Sequence, residues 1–252
     1  MYGDFFSNLL DDFDEVLEMN PANAVILTAS GDIHRELKEY DEAISDYTAA
    51  LEVQNRAAER DFAEQSATAT AEAKMGSGPS YFVYLHVEVV GRPCLYNNRA
   101  LAYSSLGRHD DAFADINMAI EMDSDYDLFY LNRGNFYHET GNYQDAIHDY
   151  DKAIELGMTY AEVFYVRARS KSALGYNGRA IEDLNIALNS NPQLNEPSKF
   201  FSICYQERGD IHQRMGKKAQ ALRDYKQALE YTDDQESQSY LERKIGELEN
   251  EE

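Results

Sequence analysis

The sequence is poor in proline, cysteine and basic residues, and each scarcity excludes a class of protein. Its 252 residues include no tryptophan and only five prolines, so long runs are free to be helical. Two cysteines, Cys94 and Cys204, are too few for a disulfide framework and predict free thiols in a reducing compartment. Lysine and arginine number 23 against 46 acidic residues. The resulting net charge of −23 would repel phosphate and argues against nucleic-acid binding.

Targeting and catalytic signals are scarce as well. The N-terminal stretch MYGDFFSNLLDDFDEVLE has early acidic residues and no long apolar core, so we expect no signal peptide, no membrane span and a cytoplasmic location. His138 and Glu139 begin like a zinc-protease motif, but Asn142 stands where the second histidine is needed. With no phosphate loop, nucleophile elbow or distinct acid/base pair, we expect no enzymatic activity, metal or cofactor.

What the chain has is an internal repeat of 34 residues. Ala146 and Ala180 mark the same position in two adjacent copies, and a period of this size indicates a helical solenoid. A pattern of small residues returns in five copies. In the copy at 127–160, Gly134 on the first helix is expected to face Ala146 on the second, so that the two helices pack closely. Gly141 lies between them, where a residue that tolerates positive φ is useful.

Two charged positions recur with the repeat. The second helix carries an aspartate in all five copies: Asp46, Asp115, Asp149, Asp183 and Asp224. The first helix carries an arginine in four copies: Arg99, Arg133, Arg167 and Arg208. Because folding the hairpin brings each arginine level with its aspartate, we expect exposed structural ion pairs that contribute ~0–1 kcal/mol each.

The run YLNRGNFYHETGNYQDAIHDYDKAIEL resembles the generic unit of the tetratricopeptide repeat (TPR) family. The resemblance implies an all-α, right-handed α-solenoid of five helix hairpins with N-terminal and C-terminal capping helices, in a single domain over 1–252. The expected segments are an N-terminal helix or half repeat at 4–21, repeats at 24–57, 93–126, 127–160, 161–194 and 202–235, an insertion at 58–92, and a C-terminal capping helix at 236–252. Lys38 departs from the pattern, because it occupies the position that the turn glycine has in other repeats.

The insertion has a helix-compatible part and a strand-like part. Residues 55–75 are rich in Ala and Glu and favour a prolonged second helix. The run YFVYLHVEVV at 81–90 alternates β-branched and aromatic residues, which is typical of a strand. Three interpretations stay open: a distorted helix packed on the first two repeats, an extended segment covering apolar surface or filling the groove, or pairing with a second molecule through Val83, Leu85 and Val87. An insertion at this place resembles that of several TPR co-chaperone domains.

Stacked first helices in such a solenoid line a concave groove suited to an extended peptide. The expected groove residues are Asn97, Asn98, Leu101, Leu131, Asn132, Asn135, His138, Tyr165 and Arg169. Asn98 and Asn132 occupy identical places one repeat apart. Because an amide both donates and accepts, this row predicts a clamp on the peptide backbone. The simpler interpretation is asparagine tolerated on a wet face.

TPR co-chaperones hold the acidic C-terminus of chaperones with a two-carboxylate clamp, and Asn98 matches its middle asparagine. At the first lysine and asparagine stand Thr28 and Asp32. At the later lysine and arginine stand Leu128 and Asn132, so the clamp is not matched. We therefore expect an adaptor for a neutral or basic peptide of another protein, with no nucleic-acid or membrane partner. The alternative is an assembly element that forms a homodimer through the strand-like segment.

Overall fold

The computed structural model describes residues 2–74, 91–190 and 197–250. Within these ranges every regular element is an α-helix, and there are twelve helices. The predicted all-α class is therefore confirmed. The strand-like segment at 81–90 lies outside the described residues, so its structure and the proposed pairing through it stay predictions.

The helices fall into two compact units, residues 1–124 and 125–252. In the N-terminal unit, α2 packs against α3 and α4 against α5 as two hairpins, α3 packs on α4, and α1 covers α2. The helix bounds are Tyr2–Met19 (α1), Ala24–Glu36 (α2), Tyr40–Lys74 (α3), Arg92–Ser105 (α4) and His109–Met122 (α5). Buried apolar residues of α2, α3 and α4, among them Leu27, Tyr47 and Leu95, form one core.

The C-terminal unit consists of three further hairpins, α6 with α7, α8 with α9, and α10 with α11, followed by α12. Their bounds are Asp127–Glu139 (α6), Tyr143–Glu155 (α7), Ala161–Ala173 (α8), Asn177–Asn189 (α9), Pro197–Arg214 (α10), Lys218–Tyr231 (α11) and Gln235–Asn250 (α12). The last helix packs on α11 through the buried side chains of Leu241 and Leu248. It thus covers the apolar face that a terminal hairpin would otherwise expose.

Helices α3 and α10 both contain inserted residues and are longer than the 13 residues of α8. Helix α3 runs for 35 residues, from Tyr40 to Lys74, as the Ala- and Glu-rich composition of residues 55–75 predicts. Helix α10 has 18 residues because it begins at Pro197, inside the residues added before the last repeat. The insertions therefore extend regular helices over much of their length.

In three hairpins a glycine of the first helix lies against a tyrosine ring of the second. A Cβ atom added to Gly134 would lie 2.6 Å from Cε1 of Tyr150, whose side chain is fully buried. The other two such pairs are Gly31 with Tyr47 and Gly209 with Tyr225. The atoms nearest to an added Cβ at Gly134 are thus those of Tyr150, and the predicted approach of Gly134 to Ala146 stays a prediction. Glycine is needed here because the ring occupies the space of a Cβ atom.

The other two hairpins have alanine in place of the glycine and an aliphatic side chain, smaller than tyrosine, in place of the tyrosine. Ala100 on α4 and Ile116 on α5 are both fully buried, and so are Ala168 on α8 and Leu184 on α9. Each aliphatic residue stands at the repeat position that tyrosine occupies elsewhere. The size of the first-helix residue and the size of its second-helix counterpart therefore vary in opposite directions, which keeps each hairpin filled.

The predicted arginine–aspartate pairs are confirmed, but the expectation that they are exposed is wrong. In the hairpin of α6 and α7, Arg133 donates from Nε to Oδ2 of Asp149 at 2.7 Å and from Nη2 to Oδ1 at 2.9 Å. The Asp149 side chain is only 2% exposed, and the guanidinium lies 5.6 Å from the ring centroid of Tyr130. The other bidentate pairs are Arg99–Asp115, Arg167–Asp183 and Arg208–Asp224.

The first repeat keeps the aspartate without the arginine. Ser30 stands at the arginine position and is buried. Oδ2 of Asp46 has no hydrogen-bond partner among the described residues, and Nε2 of His34 lies 3.8 Å from it. Burial raises the pKa of Asp46, and the nearby carboxylates of Asp14 and Glu42 add to the shift, against the opposing effects of Ser30 and His34.

Replacing this carboxylate, Asp46→Asn, is expected to raise stability at pH 7 by on the order of 1 kcal/mol, because an incompletely paired buried charge is removed. A carboxyl whose pKa is raised on folding binds its proton more tightly in the folded state. Its cost is therefore absent below the ordinary pKa of 3.8 and develops as the pH rises through the folded value. Urea unfolding at pH 7 and at about pH 3.5 should show a gain that shrinks at the lower pH.

The matched control is Asp149→Asn, the same change at the equivalent position of a repeat that has its arginine. This variant should lose stability at pH 7, because Arg133 then loses its charged partner. A loss of stability in Asp46→Asn as well would contradict the prediction.

Candidate functional site

In the N-terminal unit, the first helices α2 and α4 border a cleft of about 280 Å³. Thr28 and Asp32 of α2, Gln54 of α3 and Asn98 of α4 supply its polar side chains, and most of the remaining lining is apolar. Asp32 is the one carboxylate among the described residues that line the cleft, and no lysine or arginine is among them. The cationic groups of a carboxylate clamp are therefore missing from this lining.

Two side chains hold the carboxylate of Asp32 in place, and a third supports one of them. The hydroxyl of Tyr47 donates to Oδ1 of Asp32 at 2.7 Å, and Nδ2 of Asn98 donates to the same oxygen at 3.0 Å. Asn97, which is 3% exposed, donates in turn to Oδ1 of Asn98 at 3.1 Å. Burial and the hydrogen bond to Asp32 raise the pKa of Tyr47, so its hydroxyl remains a donor.

This network changes what the predicted groove residues of α4 can do. The amide of Asn98 is spent on Asp32 and Asn97, and Asn97 is buried. Leu101 is half-buried. Sequence reasoning missed Asp32 as the partner of Asn98, since the two residues are 66 positions apart on either side of the insertion.

The predicted asparagines of α6 are also buried or hydrogen-bonded within the C-terminal unit. Asn132 is only 8% exposed, and Oδ1 of Asn135 accepts a hydrogen bond from the Tyr150 hydroxyl at 2.9 Å. Leu131 is half-buried beside them. Asn98 and Asn132 lie in different units, and a clamp formed by both stays a prediction.

His138, another predicted groove residue, joins two first helices of the C-terminal unit. Its Nδ1 lies 2.8 Å from Oγ of Ser170 on α8, and its ring makes an edge contact with Tyr143. Burial lowers the pKa of His138, and the positive charge of Arg169 lowers it further. The imidazole is therefore neutral near pH 7. Within the described ranges, no group of three or more metal-ligating side chains is present.

Further polar contacts connect the first helices α8 and α10 and the capping helix α12. Together with the contact between His138 and Ser170, we call them the first-helix row. They are Ser172 Oγ to Glu207 Oε1 at 3.4 Å, Arg214 Nη2 to Ser172 Oγ at 2.5 Å, Tyr240 OH to Asp210 Oδ1 at 3.2 Å and Lys244 Nζ to Gln213 Oε1 at 3.0 Å. Side chains from α6, α8, α10 and α12 thus form one surface within this unit.

Several charged groups of the C-terminal unit outside these contacts keep hydrogen-bonding capacity. Arg169 is exposed and its guanidinium lies 5.9 Å from the ring centroid of Tyr165, with no ion pair to a described residue. Both carboxylate oxygens of Glu162 lack a hydrogen-bond partner within the part of the chain that the structure describes. Burial raises the pKa of Glu207, and the charge of Asp210 adds to this. The structure places the predicted Tyr165 and Arg169 beside acidic groups.

The geometry defines a class of protein: an array of helical hairpins whose first helices carry a polar face. A family model described as tetratricopeptide repeat matches residues 24–56, 95–126 and 203–235, and a second one of the same description matches 128–156. These ranges cover about half of the chain, and the chain belongs to the tetratricopeptide repeat family. Proteins of this family are generally non-catalytic scaffolds for protein–protein interaction.

Solved structures show the same fold at low sequence identity. MamA is 20% identical with a TM-score of 0.57, covering 82% of this chain and 91% of its own. The structure of the APC/C hetero-tetramer Cut9-Hcn1 gives 14% identity and a TM-score of 0.66, covering 95% of this chain and 39% of that one. YrrB, a TPR protein with an unusual peptide-binding site, gives 12% identity and a TM-score of 0.59, covering 92% and 97%.

No curated protein of similar sequence was found. In the parts of the chain that the structure describes, no helix combines the length and the apolar character needed to cross a bilayer.

Proposed function

We propose that the chain is a non-catalytic adaptor that binds an extended segment of a partner protein on its first-helix faces. The observation that carries the proposal is the first-helix row, in which α6, α8, α10 and α12 contribute polar side chains to one surface. An extended peptide needs donors and acceptors for its unpaired backbone, and a surface of this kind supplies both. The peptide-binding site named for YrrB, which has the same fold, is consistent with this use.

The partner segment is neutral or basic. Glu207 and Asp210 are the carboxylates of the row, and Arg214 and Lys244 are cations of the row. Helix α8 adds Glu162 and Arg169, and Asp32 lines the cleft of the N-terminal unit. The local charges of the row are therefore balanced, and the preference rests on Asp32 and on the charge of the whole chain. The whole chain carries a charge of −23. An acidic segment would meet repulsion here, whereas a basic one would be attracted over a long range.

The test is selection of binders from a displayed library of ten-residue peptides, followed by fluorescence titration of the selected peptides. The double variant Tyr165→Ala/Arg169→Ala should weaken binding at least about tenfold, because a half-buried aromatic ring and an exposed arginine beside it are frequent anchors of an interface. The predicted asparagine clamp is tested in the same assay with Asn98→Ala and Asn132→Ala.

The control double variant is Tyr176→Ala/Arg179→Ala. In the unmodified protein, the guanidinium of Arg179 also lies 5.9 Å from the ring centroid of Tyr176. Arg179, however, belongs to the second helix α9, away from the row. This control should bind as the unmodified protein does. Equal losses in both double variants, or a library that yields no binder, would refute the proposal.

A further inference from the structure

The cleft of the N-terminal unit carries a more specific inference, which rests on the proposed function and names the chemistry of one part of the partner. Its volume of about 280 Å³ falls below the ~300–1,000 Å³ of typical small-molecule sites. It has the size for one long side chain. Apolar residues such as Val25 and Leu95 line much of it, so the stem of that side chain would lose water on entry.

The carboxylate of Asp32 is held in one orientation, and only one of its two oxygens accepts hydrogen bonds from described residues. Both donors, the hydroxyl of Tyr47 and the amide of Asn98, bind Oδ1. Oδ2 makes no hydrogen bond or ion pair with a described residue. Arg35, one turn further along α2, pairs with Glu36 at 3.2 Å. Oδ2 of Asp32 is therefore left without a partner among the described residues, inside a cleft where attraction between a carboxylate and a cation is stronger than in bulk water.

The other polar groups of the cleft also favour a donor as the ligand. Oε1 of Gln54 is buried and has no hydrogen-bond partner among the described residues, so it is an unsatisfied acceptor. The hydroxyl of Thr28 donates to the backbone oxygen of Ala24 at 2.7 Å, which leaves it able only to accept. One N–H of the Asn98 amide donates to Asp32. Free acceptors next to one carboxylate suit an ammonium or guanidinium group.

We propose that this cleft binds a lysine or arginine side chain of the partner segment, with its charged group donating to Oδ2 of Asp32 and its stem against the apolar wall. Asn98 is then a positioning residue, because it holds the carboxylate rather than the peptide. The charge preference is opposite to that of the two-carboxylate clamp, whose lysine and asparagine are replaced here by Thr28 and Asp32.

The test is an NMR titration of the full chain with single capped amino acids, read from the side-chain amide signals of Asn98. N-acetyl-lysine and N-acetyl-arginine methylamides should shift these signals saturably. The methylamides of N-acetyl-norleucine, which lacks the charge, and of N-acetyl-glutamate should not. Asp32→Asn should weaken the binding of both cations at least tenfold. Binding of norleucine as strong as that of lysine, or no shift with either cation, would overturn the inference.

Two further variants keep the test decisive. Asp210→Asn alters the equivalent residue of the last repeat, which accepts from Tyr225 at 2.7 Å, and it should bind both cations normally. Thr28→Lys leaves Asp32 in place but supplies a cation from the protein itself, and it should abolish the titration even if Asp32→Asn folds poorly. Unchanged binding by Thr28→Lys would refute the site. The capped amino acids probe only this cleft, so its failure is distinct from failure of the C-terminal unit to bind peptides.

Discussion

Replacing Arg133 by methionine is expected to lower the free energy of unfolding by about 3–5 kcal/mol. The change leaves the carboxylate of Asp149, which is 2% exposed, buried without its bidentate partner. Methionine preserves the apolar stem that packs by Tyr130, so the loss comes mainly from the unpaired charge. Urea unfolding monitored by circular dichroism measures it.

The control for this prediction is Arg56→Met. Arg56 pairs with Glu52 at 2.9 Å, but the two side chains are 68% and 61% exposed, and such pairs contribute ~0–1 kcal/mol. The double variant Arg133→Met/Asp149→Leu should recover most of the loss, because no buried charge remains. A loss in Arg133→Met no greater than that in Arg56→Met would show that the buried pair is not important for stability.

Replacing Gly134 by alanine is expected to leave the protein about 1–3 kcal/mol less stable than the same replacement of Gly178. An added Cβ at Gly134 would lie 2.6 Å from the buried ring of Tyr150, whereas one at Gly178 would meet no atom within 4 Å. Gly134 lies in the interior of α6, where alanine gains about 1 kcal/mol in helix propensity. Gly178 is the second residue of α9, where that gain is smaller, so the propensity term works against the predicted difference and the clash must outweigh it. Thermal and urea unfolding of the two variants give the difference.

A second substitution tests the cause of that difference. Gly134→Ala/Tyr150→Leu reproduces the combination of Ala168 with Leu184 in the next hairpin, where both residues are fully buried. The smaller side chain should relieve the overlap and restore part of the stability, less the hydrogen bond from Tyr150 to Asn135. If the double variant is no more stable than Gly134→Ala, the clash with the ring is not the reason for the loss.

The hairpins and their ion pairs were predictable because each depends on spacing within one repeat. Arg133 and Asp149 are 16 residues apart, and the same offset returns in three other copies. Their burial was not predictable from spacing alone, since it depends on the neighbouring rings that enclose each guanidinium. The pairing of glycine with tyrosine did leave a signal: copies with glycine have tyrosine 16 residues later, and copies with alanine have Ile116 or Leu184.

The candidate site was less predictable than the fold. Asn98 and Asn132 occupy equal places in the repeat, yet one amide binds Asp32 and the other is buried. The contact of Asn98 depends on how α4 packs against α2 after the insertion, and a repeat period contains no information about that packing. The period placed Arg169 on a first helix correctly, and its spacing of four residues from Tyr165 predicts that the two side chains are neighbours. Its proximity to Glu207 on α10 required coordinates.

Each of the two units contains a single thiol, and the two differ sharply in accessibility. Cys94 is exposed at the cleft, whereas Cys204 is fully buried and burial raises its pKa to about 12. A maleimide dye should therefore label Cys94 in the native protein and reach Cys204 only when the surrounding core opens. The unaltered chain therefore offers a site for a fluorescent label beside the cleft. The rate at which Cys204 is modified would measure how often the core of the C-terminal unit opens.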